Sequence, residues 1–356
     1  MIMNIKNWTE NKNSLFQQRI LPAFIMVFFF FIFIGILRFA YFYSFSFSSE
    51  VIISTRAISL LLMFGVAFWA MLELNKAFLE NKYVSVIFAF AISAYTVFFN
   101  GPIFSKYFVY STEKFALSEN YLSMFSVFYF NYWFWVKLII TSLLFLVLRI
   151  VILSKSKVII SGILLKLLLY FVANFVIWSF IYCVFIFSYM PSGFQNLIIF
   201  TTIASFYDVG GFFGGKFLGK KIIKRPFSPF ISPSKTWEGA LVGLVFSIVF
   251  VFVEIFLANV IEPNKFNLAQ VILNVGSSSF NGKLFGTALF FIVFAPVVSM
   301  LGDLLFSLIK RVCLIKDFSK ILKGHGGILD RIDGIASVFA LWSFLMVILY
   351  FLNYVG

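Results

Sequence analysis

Polar and charged residues in this chain fall in short islands between long apolar runs. The runs lie at about 21–43, 57–74, 84–99, 133–153, 167–190, 197–213, 240–261, 284–309 and 335–354. Several reach the roughly 20 apolar residues needed to cross a bilayer core. Inside hydrocarbon, each segment must satisfy its own backbone groups, so such runs read as helices. The pattern predicts an all-α polytopic integral membrane protein with about nine transmembrane helices. Asn100-Gly101-Pro102 punctuates the end of the third run and Pro191 that of the fifth. The first run lacks a small-residue cleavage site, which predicts a retained span. Residues 103–131 mix nearly cancelling charges with Tyr and Phe, and read as an external loop or an interfacial helix.

The islands also give an orientation. If the end carrying Lys6, Lys12 and Arg19 is cytoplasmic, the islands after the second, fourth, sixth and eighth runs share that side. These hold Lys76 and Lys82, then Lys155 and Lys157, then the clusters at 216–235 and 310–331. The positive-inside rule therefore predicts a cytoplasmic N-terminus and an external C-terminus in a multi-pass cell-membrane protein. No repeat of the kind that builds inverted transporter halves is evident.

Composition changes this picture little. The chain has 356 residues, 62% of them hydrophobic, and 54 are Phe. Such Phe bias points to an A+T-rich coding sequence, so aromatic stripes carry little functional information. The net charge is +14, yet no basic segment is long and polar enough to be a nucleic-acid arm. The excess fits positive-inside loops and anionic headgroups, which predicts membrane lipids as partners and no nucleic acid. Cys183 and Cys313 are far apart in or beside apolar runs and read as small core residues.

Chemistry concentrates in two stretches. The first runs from Gly302 to Asp333 and holds Asp303, Asp317, Asp330 and Asp333 among Lys310, Arg311, Lys316, Lys320, Lys323 and Arg331. Asp303 and Ser307 are four apart, so two oxygen ligands share a helical side, with Lys310 and Arg311 further along it. Asp330 and Asp333 are three apart at the start of the last apolar run. The only histidine, His325, stands between Gly324 and Gly326, with Gly327 following. Carboxylates with a hydroxyl are hard ligands suited to Mg²⁺ or Mn²⁺, and cations beside them suit phosphates. The second stretch carries Asp208, a Gly-rich segment to Lys216, then Ser232-Pro233-Ser234-Lys235-Thr236-Trp237-Glu238-Gly239. The Ser232–Thr236 donors precede the seventh run, where a helix N-terminus offers an anion site. The segment is not a Walker loop.

Together these stretches resemble the signature of phosphatidate cytidylyltransferases, also called CDP-diacylglycerol synthases. The matching positions are Ser307, Lys310, Arg311, Lys316, Asp317, His325, Gly326, Gly327, Asp330, Arg331 and Asp333, together with Asp208 and Ser232 to Gly239. The family often has Pro where Lys323 stands, and the insertion 222–230 is longer than in many bacterial members. The resemblance covers about residues 200–345, which divides the chain into family-variable N-terminal spans, 1–195, and a catalytic region, 196–356. It implies that CTP and phosphatidic acid give CDP-diacylglycerol and pyrophosphate. It further implies a paired-metal centre of Mg²⁺ or Mn²⁺, with K⁺ a candidate second ion. Asp303, Ser307, Asp330, Asp333 and Asp208 would hold metal. Lys310, Arg311, His325 and Arg331 would act on phosphates. Asp208, Lys216, Ser232, Ser234, Lys235, Thr236, Glu238, Gly326 and Gly327 would bind substrate. A homodimer is a candidate assembly.

Blander readings compete residue by residue. A lone histidine is usually structural. Asp303 could simply be neutralised by Lys310 or Arg311, and Asp330 and Asp333 could cap a helix. Glu238 could equally cap the seventh span. Glu73, Arg38, Lys137, Arg149 and Glu254 lie in or near spans, where most can snorkel, and receive no role. Rival classes are a transporter, a scaffold, and a phosphotransferase that consumes CDP-lipid. The last requires an Asp-Gly-x-x-Ala-Arg pattern, which is absent.

Overall fold

The computed structural model describes residues 21–99, 125, 129, 132–154, 162–190, 193–261, 282–319 and 326–354. His325, Lys320, Lys323, the basic N-terminal residues, Lys155, Lys157 and most of 103–131 lie outside them. Nine α-helices form among the described residues, with a short π and 3-10 extension, Phe39–Tyr43 and Ser44–Ser46, after the first. They are α1 (Leu21–Arg38), α2 (Ser49–Leu79), α3 (Lys82–Phe98), α4 (Tyr132–Ser154), α5 (Ile163–Tyr189), α6 (Gly193–Phe217), α7 (Trp237–Ile261), α8 (Gly282–Val312) and α9 (Leu329–Tyr354). Each matches one predicted run. Eight are long and apolar enough to cross a membrane, while α3 is shorter. The chain is an all-helical polytopic membrane protein.

Local chemistry sets the turns. α2 stops where Glu80 takes a left-handed conformation, and Asn81 then caps α3 by accepting from the N–H groups of Tyr83 and Val84. Arg149 on α4 pairs with Glu80 at 2.9 Å. That contact puts the α2–α3 turn and the end of α4 at the same end of the bundle. α5 is the most buried of the eight spans, and its neighbours α6, α8 and α9 join it through rings. Phe180 and Phe187 of α5, Phe200 of α6, Phe291 of α8, and Phe339 and Trp342 of α9 meet edge to face or tilted. Such pairs add about 0.5–1.5 kcal/mol each beyond their burial.

Small residues decide which helices touch. Between α6 and α7, a Cβ at Gly210 would lie 2.6 Å from the Phe246 Cβ, and one at Gly243 would lie 2.7 Å from the Tyr207 carbonyl oxygen. Between α8 and α9, a Cβ at Gly302 would lie 2.1 Å from the Ser337 Oγ, and one at Gly334 would lie 2.6 Å from the Ser299 Oγ. Lipid tails give helices no hydrophobic reason to associate, so close backbone packing at small residues takes that place. Gly302 precedes Asp303 and Gly334 follows Asp333, so the tightest approach of α8 and α9 falls where both carry an acid.

Gly243→Ala is expected to destabilise the protein by about 1–3 kcal/mol through overpacking. Gly65→Ala, with nothing within 4 Å of the added Cβ, is expected not to. Thermal unfolding in detergent distinguishes the two.

Candidate active site at one end of the bundle

The ends of α6 and α8 and the starts of α7 and α9 lie on one side, joined by the loops 218–236 and 313–328. The loops are tied to the helices by specific bonds. Lys235 Nζ donates to Asp303 Oδ2 at 2.5 Å, and Arg311 Nε donates to the Ile231 carbonyl oxygen at 3.2 Å. On the other side, Lys310 Nζ of α8 donates to Asp330 Oδ1 of α9 at 2.6 Å, and the Phe318 N–H of the loop donates to Asp330 Oδ2.

Three carboxylates from three helices interact here. Asp208 of α6 lies in the fields of Asp303, Lys235 and Arg331. Asp333 of α9 lies in those of Asp303, Asp208 and Lys310. Asp208 is exposed, Asp303 is half-buried and Asp333 is buried. Ser307 Oγ donates to Asp303 Oδ1 at 3.2 Å, as the four-residue spacing predicts. The Gly334 N–H donates to Asp333 Oδ1 at 2.8 Å. Asp303 is neutralised from across the site by Lys235, rather than by Lys310 or Arg311 along its own helix.

Asp330 has a different situation. Its Oδ1 faces Lys310, and its Oδ2 accepts from the N–H groups of Phe318 at 3.0 Å and Gly327 at 2.8 Å. It ties Phe318 and Gly327 to α9, and the structure does not bring it into the Asp208–Asp303–Asp333 group. Gly326 has φ +78°, and a Cβ there would lie 2.7 Å from Asp330 Oδ2. Glycine is required at that position for both reasons.

The 218–236 loop is likewise anchored by an acid. Glu238 is buried and accepts from the N–H groups of Lys220, Ile222 and Ile223 at 3.2, 2.9 and 2.7 Å. Its two oxygens hold the start of the insertion, which leaves them no evident task on a substrate. Thr236 Oγ1 accepts from the Gly239 N–H at 3.1 Å and is buried against Gly215. Thr236 and Glu238 are therefore built into the loop, whereas Ser234, Lys216, Arg311 and Arg331 are exposed and Ser232 is half-buried. The Cys313 thiol is buried and pushed up to about 11, so it offers no nucleophile.

Metal binding can be tested against this arrangement. Among the described residues, no three acidic, histidine or cysteine side chains stand close enough to enclose one ion. Their chemistry nevertheless fits a divalent cation. Asp208, Asp303, Asp333 and Ser307 are hard oxygen donors, and the Lys235 ammonium shows that positive charge is accommodated directly on Asp303.

Sequence reasoning passed over Glu73. It sits on α2, is only 2% exposed, and accepts from the N–H groups of Ile328 at 3.1 Å and Leu329 at 3.0 Å. A lone acid inside an apolar run was the available signal.

A model of the cytidylyltransferase family matches residues 17–350. Curated relatives named phosphatidate cytidylyltransferase include one from Helicobacter pylori, 44% identical over 127 residues, covering 35% of this chain and 37% of the relative. One from Haemophilus influenzae is 34% identical over 138 residues, covering 38% and 40%. One from Mycobacterium tuberculosis is 36% identical over 152 residues, covering 42% and 38%. The chain spans about two-fifths of the length of the curated relatives it matches.

Lys310→Met should leave Asp330 charged and buried without its cation. It is expected to cost about 3 kcal/mol. Adding Asp330→Asn should recover a large part of that loss in thermal unfolding.

Proposed function

The chain belongs to the cytidylyltransferase family, and on that premise we propose that it transfers the cytidylyl group of CTP to phosphatidic acid. The products are CDP-diacylglycerol and pyrophosphate. A phosphate oxygen of the lipid forms a bond to the α-phosphorus of CTP, and the bond from that phosphorus to the pyrophosphate oxygen breaks. The attacking phosphate is already an anion, so no protein base is required.

The observation that carries this reading is that Asp208, Asp303 and Asp333, from three helices, lie within one another's electrostatic reach, with Lys235 bonded to Asp303. Both reactants are strongly anionic, so much of the barrier is the approach of like charges. Fixed cations on rigid supports lower that barrier without reorganising during the reaction. Lys235, Arg311, Arg331 and Lys216 would hold phosphates, and the exposed Ser234 would add a hydrogen-bond donor. Asp208, Asp303, Asp333 and Ser307 would hold Mg²⁺ or Mn²⁺. Such an ion, when bound, supplies concentrated positive charge to the phosphate oxygens. Gly326 and Gly327 would let the backbone lie close to a phosphate. Asp330 contributes by holding Lys310 and the N–H groups of Phe318 and Gly327.

The site end of the bundle also carries Lys216, Lys220, Lys221, Lys235, Lys310 and Arg311, which supports its facing the cytoplasm in the cell membrane. CTP would then arrive from the aqueous side while phosphatidic acid reaches the same helix ends from the leaflet. K⁺ as a second ion and a homodimeric assembly belong to the same proposal.

Purified protein given cytidine-labelled CTP and phosphatidic acid is expected to place label on lipid, and the other three nucleoside triphosphates are expected to do so far less. Asp303→Asn and Asp333→Asn are each expected to lower the rate about a hundredfold or more. Glu80→Gln, at the surface, should leave it unchanged. Label found only on released CDP would instead indicate a lipid kinase.

A further inference from the structure

The matching region that the sequence singles out begins near residue 200, yet one of its central elements is held by a side chain from far upstream. α9 carries Asp330, Arg331 and Asp333 in its first turns, and the first N–H groups of a helix have no partner within it. Here the N–H groups just before and at its start are taken by two carboxylates. The Gly327 N–H goes to Asp330, and the N–H groups of Ile328 and Leu329 go to the two oxygens of Glu73. Trp69, one turn earlier on α2, donates its indole N–H to Glu73 Oε1 at 2.8 Å and fixes the carboxylate from behind.

The fit is close enough to dictate a neighbouring residue. A Cβ at Gly327 would lie 2.3 Å from Glu73 Oε2 and 2.6 Å from its carboxyl carbon. Gly327 does not have a left-handed backbone, so it is the Glu73 carboxylate that requires a glycine there. Glu73 also lies in the field of Asp330, so it stands at the edge of the charged region rather than apart from it.

We propose that Glu73 is a positioning residue: it clamps the start of α9 and thereby sets where Asp330 and Asp333 point. It touches neither substrate nor the reacting atoms. Removing it would free the two N–H groups and let the first turn of α9 shift. Asp333, one turn inside, would then leave its place opposite Asp303. The functional part of this inference rests on the cytidylyl-transfer reading and on cation binding by the acids. The structural part does not.

The test uses full-length protein in detergent or nanodiscs, with Glu73→Ala and Glu73→Gln. The Gln variant keeps the size of the side chain but removes the charge and turns one acceptor oxygen into an NH2 donor, so it breaks one of the two backbone bonds and serves if the Ala variant fails to fold. Amide exchange at Ile328 and Leu329 is read first and is expected to accelerate about tenfold or more, since two hydrogen bonds to a charged acceptor are lost. Mn²⁺ binding and the cation dependence of CDP-lipid synthesis are read next. Half-saturation is expected to require about tenfold more Mn²⁺, as when a partner that orients a ligand is removed. A residue serving stability alone would lower the unfolding temperature without moving that value. Gly327→Ala is expected to destabilise the wild type but to cost little in the Glu73→Ala background, where the methyl has room.

Unchanged exchange at 328 and 329 would overturn the clamp. Faster exchange with unaltered Mn²⁺ half-saturation would overturn its positioning role. If the wild type labels no lipid, the reaction proposed above fails, and Glu73 is judged by exchange and the Gly327 double mutant alone.

Discussion

Gathering like charges at the rim of a membrane protein is the constraint on which this structure turns. Three carboxylates from α6, α8 and α9 interact with one another, and each addition raises the cost of the next. That cost is offset by groups placed one at a time. Lys235 neutralises Asp303, and the Gly334 N–H faces Asp333. The helices can come so close only because Gly302 and Gly334 sit beside those two acids at the crossing of α8 and α9. Packing and electrostatics are therefore settled by the same few residues. The acids are unevenly exposed, Asp333 being buried beside the crossing and Asp208 exposed on α6.

Around this group the structure uses acids in a second way, as acceptors for loop backbone. Asp330 holds Phe318 and Gly327, Glu238 holds Lys220, Ile222 and Ile223, and Glu73 holds Ile328 and Leu329. Both loops at the charged end are thus pinned by buried carboxylates rather than by packing alone. A rigid frame of this kind suits a reaction between two anions, where charge must already be in place before the reactants meet.

Much of this was legible in the sequence. Run lengths gave the nine helices, since a bilayer leaves a chain few alternatives. The Asp303–Ser307 spacing gave their contact, because four residues return a helix to the same face. Partner choice was less legible. Lys310 and Arg311 follow Asp303 on its own helix, but the ammonium that reaches it comes from Lys235, 68 residues away. Asp330 and Asp333 look equivalent in sequence, yet their tasks diverge because Phe318 and Gly327 donate to the first and α8 crosses at the second. Glu73 illustrates the limit most clearly. Nothing near it in the chain hints at a helix start 255 residues on. Only the three-dimensional arrangement explains why an acid is retained in that apolar run.

The central claim is that Asp208, Asp303 and Asp333 form one cation-binding centre at the loop end of the bundle. An experimental structure of the protein soaked with Mn²⁺, read through the anomalous signal of the ion, tests it most directly. The account predicts an ion contacting at least two of these three carboxylates, with Lys235 withdrawn from Asp303. An ion bound elsewhere, or three carboxylates facing separate cavities, would contradict it.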